Sequence, residues 1–176
     1  MQTLTSVWYH DWQPRNEDTL ETHHGRILRS MVKGLRRTKM IDLGCGGKGV
    51  APLFKYYKGI DLPEFNVYIS DLDFLQEYEL VLMNAFIDVM QFPLDILERV
   101  LEHCKGYVLI HRQEFTTGKT RVTEEHAYGG WTHHSIINHE DFAKVSLDFN
   151  VEKYVNLNFD NWENGGNSVL LKKIHI

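Results

Sequence analysis

The feature that most constrains this chain is a short apolar run that ends beside an acid and leads directly into closely spaced glycines. The run is residues 40–43 (MIDL), which contains Asp42, and the glycines are Gly44 and Gly46. Glycine at a strand-to-helix turn lets the backbone approach a ligand, because it has no Cβ, and the amides that open the next helix face that ligand. A second short apolar run ends at Asp61. This order predicts a doubly wound sheet that holds a nucleoside.

The residue before the glycines favours one kind of nucleoside. Gly44, Gly46 and Gly49 fit G-x-G-x-x-G, which is also the dinucleotide fingerprint. Asp42 would repel a diphosphate but attract a ligand that carries an amino group and a sulfonium. A Walker A site does not fit, because no Ser or Thr follows Lys48. A turn that uses its glycines for packing alone stays open as an alternative.

Four features in order resemble class I S-adenosylmethionine (SAM) methyltransferases, over roughly residues 18–174. Asp42-x-Gly44-x-Gly46 resembles motif I, and residues 78–84 resemble the fourth-strand motif. The resemblance implies that Asp61 binds the ribose hydroxyls and that Asp71 lies beside the adenine. It therefore implies SAM as the cofactor, held by Asp42, Gly44, Gly46, Asp61, Asp71 and Asn84.

A narrower resemblance begins after the fifth strand position of that family. Residues 107–112, 128–129 and 136–142 look similar to small methyltransferases associated with polysaccharide biosynthesis. This resemblance implies a polar small-molecule or a sugar-like acceptor, and it does not specify the reaction.

Length and composition bound the remaining possibilities. The 176 residues are predicted to form a single SAM-binding domain, 1–176. The net charge of −5, without a long basic run, argues against nucleic acid as a partner. No apolar stretch approaches the ~20 residues of a membrane span, and the first residues do not resemble a signal peptide. We therefore expect a cytoplasmic protein with reduced cysteines. The oligomeric state is left open.

The predicted fold is α/β: a doubly wound, mostly parallel sheet with helices on both faces and a C-terminal antiparallel hairpin. Only residues 62–66 separate the second strand from the strand-like run 67–69, whereas a parallel crossover normally needs a dozen or more residues. The sheet is therefore predicted to be trimmed between strands two and three, with 67–69 as a minimal edge strand or a covering loop. Apolar spacing and strand patterns place helices at 18–34, 48–57, 92–105 and after Asn138, and strands at 39–45, 58–61, 78–85, 107–111, 151–159 and 168–174.

Two further segments are predicted to surround the ligands. Residues 1–16 form an N-terminal arm whose Trp8, Tyr9 and Trp12 either cover the sulfonium by cation–π contact or pack on the sheet edge. Residues 112–138 form a long polar acceptor loop. Within it, Arg112, Tyr128 and Trp131 are predicted to bind the acceptor; a surface salt bridge is the alternative for the arginine.

His111 and His134 are predicted as catalytic residues, because histidine is the usual base near neutral pH. A structural role for the first and a solvated loop for the second stay open. No metal is predicted, since Glu125, His126 and His133-His134 fit no recognised zinc spacing. A metal site that uses their imidazole and carboxylate groups stays open as an alternative.

The predicted function is methyl transfer from SAM to an oxygen or nitrogen of a small polar acceptor. A non-catalytic SAM-binding regulatory or partner protein is the first alternative. A nicotinamide-dependent oxidoreductase is the second, and Asp42 and the closing hairpin argue against it.

Overall fold

The computed structural model describes residues 20–62, 64–127, 130–158 and 166–174, so the predicted arm 1–16 lies outside the described residues. Within these ranges the helices are α1 (His23–Met31), α2 (Pro93–His103) and α3 (His139–Val145). The strands are β1 (Lys39–Leu43), β2 (Tyr56–Ile60), β3 (Leu80–Asn84), β4 (Tyr107–Thr116), β5 (Arg121–Ala127), β6 (Gly130–Asn138), β7 (Phe149–Asn156) and β8 (Asn167–Lys173).

The main sheet has the strand order β2-β1-β3-β4-β8-β7. The first four of these strands run parallel to one another. β8 inserts between β4 and β7 and runs antiparallel to both. The predicted mostly parallel sheet with a C-terminal antiparallel hairpin is therefore confirmed.

Both faces of this sheet are covered, which explains why its central strands are apolar on both sides. On one face, Leu28 of α1 packs with Leu82 and Leu109. On the other face, Leu97 of α2 packs with Val108 and other buried residues. Helices on both faces were predicted, and alternate residues of each strand point to one face or the other.

The trimmed edge is confirmed, and the run 67–69 is a covering loop. Between β2 and β3 the described residues hold only a 3₁₀ turn, Asp73–Glu77. Val67 is buried in the core, and the Arg99 guanidinium of α2 donates to the carbonyls of Val67 (2.6 Å) and Ser70 (2.9 Å). The loop thus covers α2, and β2 is the last strand of the sheet on this side.

The helix predicted at 48–57 is wrong. The structure has a 3₁₀ turn at Ala51–Leu53 instead, and β2 already begins at Tyr56. Lys48 has a φ of 59°, a left-handed conformation that cannot continue into a right-handed helix. Pro52 lacks an N–H and fits only the first turn of a helix. No helix therefore presents its first amides to a ligand after the glycines.

The 112–138 segment is not an open loop. β4 continues to Thr116, β5 and β6 form an antiparallel hairpin, and β6 pairs in parallel with β4 at Glu114–Thr116. Arg112 has a φ of 68° at the point where β4 passes from the main sheet to this second one. The segment looked loop-like because many of its side chains are polar, yet several of them are buried: Gln113, Glu114, Thr132, His133 and Ser135.

One close contact between two backbone segments offers a test of the sheet. Gly106 precedes β4, and a Cβ added there would collide with the backbone carbonyl oxygen of Glu79, which accepts the Tyr107 N–H at 2.7 Å. We expect Gly106→Ala to lower the free energy of unfolding by about 1–3 kcal/mol, as overpacking does. Gly34→Ala is the control, because nothing lies within 4 Å of its added Cβ. Urea unfolding measures the stability of both variants, and equal stabilities would contradict this close backbone contact.

Candidate active site

The predicted cofactor residues meet at the edge where the parallel strands end. Asp42 is buried near the end of β1, Asp61 follows β2 and Asn84 ends β3. Gly44 and Gly46 lie in the loop between β1 and β2. In doubly wound sheets, ligands bind outside the carboxyl ends of the strands, so the fold gathers these five residues at the expected place.

The glycine loop is fixed by backbone contacts. The N–H groups of Gly44 and Cys45 donate to the Ile60 carbonyl, at 2.9 and 3.2 Å. Gly44 has a φ of 70°, and a Cβ there would lie 2.5 Å from the ring of Phe86. Gly46 has a φ of 48° and no heavy atom within 4 Å of an added Cβ among the described residues. The backbone at Gly46 is therefore open to close approach by a ligand.

Asp61 ties this loop to the end of β2. Its Oδ2 accepts the Gly46 N–H at 2.6 Å, and its Oδ1 accepts the Leu62 N–H at 2.7 Å. Burial raises the pKa of Asp61, while the two amide hydrogen bonds oppose that shift. A carboxylate has about four acceptor positions, so Asp61 can hold the loop and still accept hydrogen bonds from a ligand.

Among the described residues, one of the two carboxylate oxygens of Asp42 has a hydrogen-bond partner and the other has none. The hydroxyl of Tyr57 donates to Asp42 Oδ2 at 2.9 Å, and the buried Oδ1 has no hydrogen-bond partner among the described residues. Burial raises the pKa of Asp42 to about 7; the Tyr57 hydrogen bond opposes this shift and the charge of Asp61 adds to it. Sequence reasoning missed Tyr57, because it assigned that residue to a helix. Its position two residues before Gly59 was the available signal, since both then lie on one face of a strand.

A buried polar row crosses the sheet two register positions beyond Asp42. Asn84, His111 and Ser168 are neighbours on β3, β4 and β8. His111 Nδ1 lies 2.9 Å from Ser168 Oγ, whereas His111 Nε2 and Asn84 Oδ1 are buried without a partner among the described residues. Burial lowers the pKa of His111 to about 3, with smaller contributions from His24 and Arg112. A ring in this position strongly resists becoming a cation.

A second group of charges lies where β4 meets β6. His134 Nε2 lies 3.0 Å from Glu114 Oε2. The Ser135 hydroxyl donates to the Ile87 carbonyl at 2.9 Å, which holds the turn that carries Asp88 against β6. Burial raises the pKa of Asp88 to about 6, the charges of Arg112 and His134 oppose the shift, and Glu125 adds to it. The structure thus brings Asp88, Arg112 and His134 together.

One predicted residue, Asp71, is not joined to this site. Asp71 is exposed, accepts the Asp73 N–H at 3.0 Å and lies near His103 at the end of α2. That end of α2 immediately precedes β4, so it lies at the opposite edge of the sheet. Tyr128 and the side chain of Trp131 lie outside the described residues.

The metal alternative involved Glu125, His126, His133 and His134, and the side chain of His126 lies outside the described residues. Among the described residues, the ligand atoms close enough to converge on an ion belong to Asp71, Asp73 and His103, and the two aspartates are exposed. No helix in the described ranges is long and apolar enough to cross a membrane.

Several solved structures with a similar fold are SAM-dependent methyltransferases. A candidate enzyme of this class from Listeria monocytogenes has a TM-score of 0.64 and 14% identity, over 87% of this chain and 99% of its own. The 1,6-didemethyltoxoflavin-N1-methyltransferase of Burkholderia thailandensis, with bound S-adenosylhomocysteine (SAH), has a TM-score of 0.62 and 15% identity over 91% and 80%. Magnesium protoporphyrin IX methyltransferase from Synechocystis PCC 6803, also with SAH, has a TM-score of 0.55 and 14% identity over 96% and 91%.

These likenesses show that the chain has the class I methyltransferase fold. No family model matches the sequence, and no curated protein is significantly similar to it. The resemblance given by the glycine motif is therefore confirmed at the level of the fold.

The raised pKa of Asp42 predicts a stability penalty. A carboxyl whose pKa is higher in the folded state stabilises the fold fully below its unfolded pKa of about 4 and loses that contribution as the pH rises to about 7. We expect the ligand-free protein to lose on the order of 2–4 kcal/mol through Asp42 across this range. Asp42→Asn removes this titration but keeps an acceptor for Tyr57. Urea unfolding at about pH 5 and about pH 8 should show its largest relative gain at the higher pH; a gain that does not depend on pH would contradict the expectation.

Proposed function

We propose that the protein is a SAM-dependent methyltransferase that methylates an oxygen or nitrogen of a small polar acceptor, and that it works in the cytoplasm. The observation that carries the proposal is the buried Oδ1 of Asp42, which has no hydrogen-bond partner among the described residues and lies beside the glycine loop. A buried carboxylate without a cationic partner is costly, and a positively charged ligand would offset that cost.

The cofactor residues of the proposal are those at the strand ends. Asp42 faces the cationic part of SAM, Gly44 and Gly46 let the loop approach it, and Asp61 accepts the ribose hydroxyls. Asn84 adds a buried amide oxygen that is without a partner among the described residues. Asp71 is left out, because it lies at the opposite edge of the sheet.

The acceptor side of the proposal is the seam between β4 and β6. When bound, SAM supplies a methyl group on a sulfonium, and the protein must align the acceptor and take its proton. Arg112 and His134 both lie two residues before the first pair of this seam, near Asp88. We keep Tyr128 and Trp131 as further acceptor-binding residues. The partner is thus a small molecule with polar groups.

The choice of base follows from burial. His111 belongs to the buried polar row and, as a base, would have to become a buried cation. We therefore assign it a role in shaping that row. Asp88 becomes neutral when it takes a proton, and burial favours that change. The Glu114 carboxylate lies 3.0 Å from His134 Nε2 and holds the ring in one orientation. Asp88 and His134 are therefore the proposed candidates for the base.

A second candidate function is SAM binding without catalysis, as a regulatory or partner protein. The observation in its favour is the shortened sheet, with a loop between β2 and β3 and only a 3₁₀ turn between β1 and β2. Methyl transfer to an acceptor, followed with radiolabelled SAM, distinguishes the two functions once SAM binding is established.

The cofactor class can be tested directly. We expect SAM and SAH to bind in the micromolar range and NAD not to bind, because Asp42 disfavours a diphosphate. Isothermal titration with the three ligands measures this. Heat from NAD together with none from SAM would overturn the proposal.

The assignment of Asp61 gives a matched pair of variants. Asp61→Ala removes the acceptor that holds Gly46 and is proposed to bind the ribose, so we expect SAM binding to weaken by about 1–3 kcal/mol. Asp71→Ala removes an aspartate at the other edge of the sheet and should leave the affinity unchanged. Titration with SAM decides between them, and equal losses in both variants would return Asp71 to the site.

A further inference from the structure

Tyr57 reaches Asp42 across a space that a glycine leaves open. Tyr57 lies on β2 and packs in the same cluster as Met40, on the face that α1 covers. A Cβ added to Gly59 would lie 2.7 Å from the Tyr57 hydroxyl oxygen and 2.8 Å from Cys45 Sγ. The hydroxyl therefore occupies the volume that any side chain at 59 would need, and from there it donates to Asp42.

This contact makes the two carboxylate oxygens of Asp42 unequal. Oδ2 is held by the phenol at 2.9 Å, and Oδ1 is buried with no partner among the described residues. A single hydrogen bond to one oxygen fixes the rotation of the carboxylate plane, so that the other oxygen keeps one direction. Hydrogen bonding to the charged form also favours that form over the protonated one.

We propose that Tyr57 is a positioning residue, which holds Asp42 ionised and oriented so that Oδ1 meets the positively charged methionine part of SAM. This inference rests on the proposed function. The neutral adenosine part of the cofactor is bound elsewhere along the strand ends and does not depend on this contact.

The groups around Asp42 set the expected pH dependence. Asp61 faces it with a like charge, Cys45 lies beside the phenol, and Tyr57 donates to it. Without the phenol, the pKa of Asp42 rises further, so a larger fraction of Asp42 is protonated near neutral pH. A protonated Asp42 no longer attracts a cation, whereas a higher pH restores the charge.

The test compares two ligands in matched variants. SAM carries the charged methionine part, and 5′-methylthioadenosine lacks it. We expect Tyr57→Phe to weaken SAM binding about fivefold or more near pH 7, because it removes a hydrogen bond to a charged group, while 5′-methylthioadenosine binds as before. Tyr56→Phe makes the same chemical change at the neighbouring exposed position and should alter neither affinity.

A pH series separates positioning from a merely structural role. The ratio of the SAM dissociation constants of Tyr57→Phe and wild type should fall as the pH is raised above 7, because Asp42 is then ionised in both proteins. Comparison at each pH cancels the ionisation of SAM itself. When both proteins also carry Asp42→Asn, the ratio should no longer depend on pH. Gly59→Ala displaces the hydroxyl but keeps the tyrosine, so it should reproduce the weaker binding of SAM.

The outcomes are distinct. Equal weakening of SAM and 5′-methylthioadenosine, or a ratio that does not change with pH, would overturn the role of Tyr57 and leave the proposed function standing. A wild-type protein that binds neither ligand would overturn the proposed function, and this inference with it. If Tyr57→Phe lowers the stability of the fold, the Gly59→Ala protein is used in its place. Normal SAM binding by that protein would also overturn the role of Tyr57 as a positioning residue.

Discussion

Strand β4 is the element on which both halves of the site depend. Its first half pairs with β3 and β8 in the main sheet, and its second half pairs with β6. The register of β4 with β8 shifts at Arg112, which has a left-handed backbone conformation. Such a conformation costs energy in a residue with a side chain, and the pairing on both sides of β4 maintains it. As a result, His111 belongs to the buried row of the main sheet, whereas Arg112 and Glu114 belong to the seam with β6.

Charge burial is the second constraint. Asp42, Asp88 and Glu114 are all buried, and each interacts with a specific neighbour. The hydroxyl of Tyr57 supports the first, the charge of Arg112 the second and the ring of His134 the third. An ordinary core would replace these groups with apolar side chains, because buried carboxylates are poor stabilisers. Their concentration at the carboxyl ends of the strands is typical of a site that gives up stability for function.

The sequence predicted the sheet, the glycine loop and the meeting of Asp42 with Asp61, because these follow from short-range patterns of apolar residues, glycines and acids. It did not predict β5 and β6, because their polar side chains hide the strand pattern until tertiary pairing buries Thr132 and Ser135. It also placed a helix over Tyr57, because the apolar spacing there fits a short helix as well as a strand. The Tyr57–Asp42 contact depends on the register between β1 and β2, which no local pattern contains.

After the glycine loop, the carboxylate of Asp61 takes the place that a helix N-terminus was predicted to have. A helix N-terminus would hold the loop amides in one direction and attract an anion, but a cofactor with a positive charge gains little from that dipole. Here the carboxylate of Asp61 binds the amides of Gly46 and Leu62 directly. One side chain therefore fixes the loop and places a carboxylate beside it. Together with Asp42, it makes this edge of the sheet complementary to a cationic nucleoside, which a helix dipole at the same position would oppose.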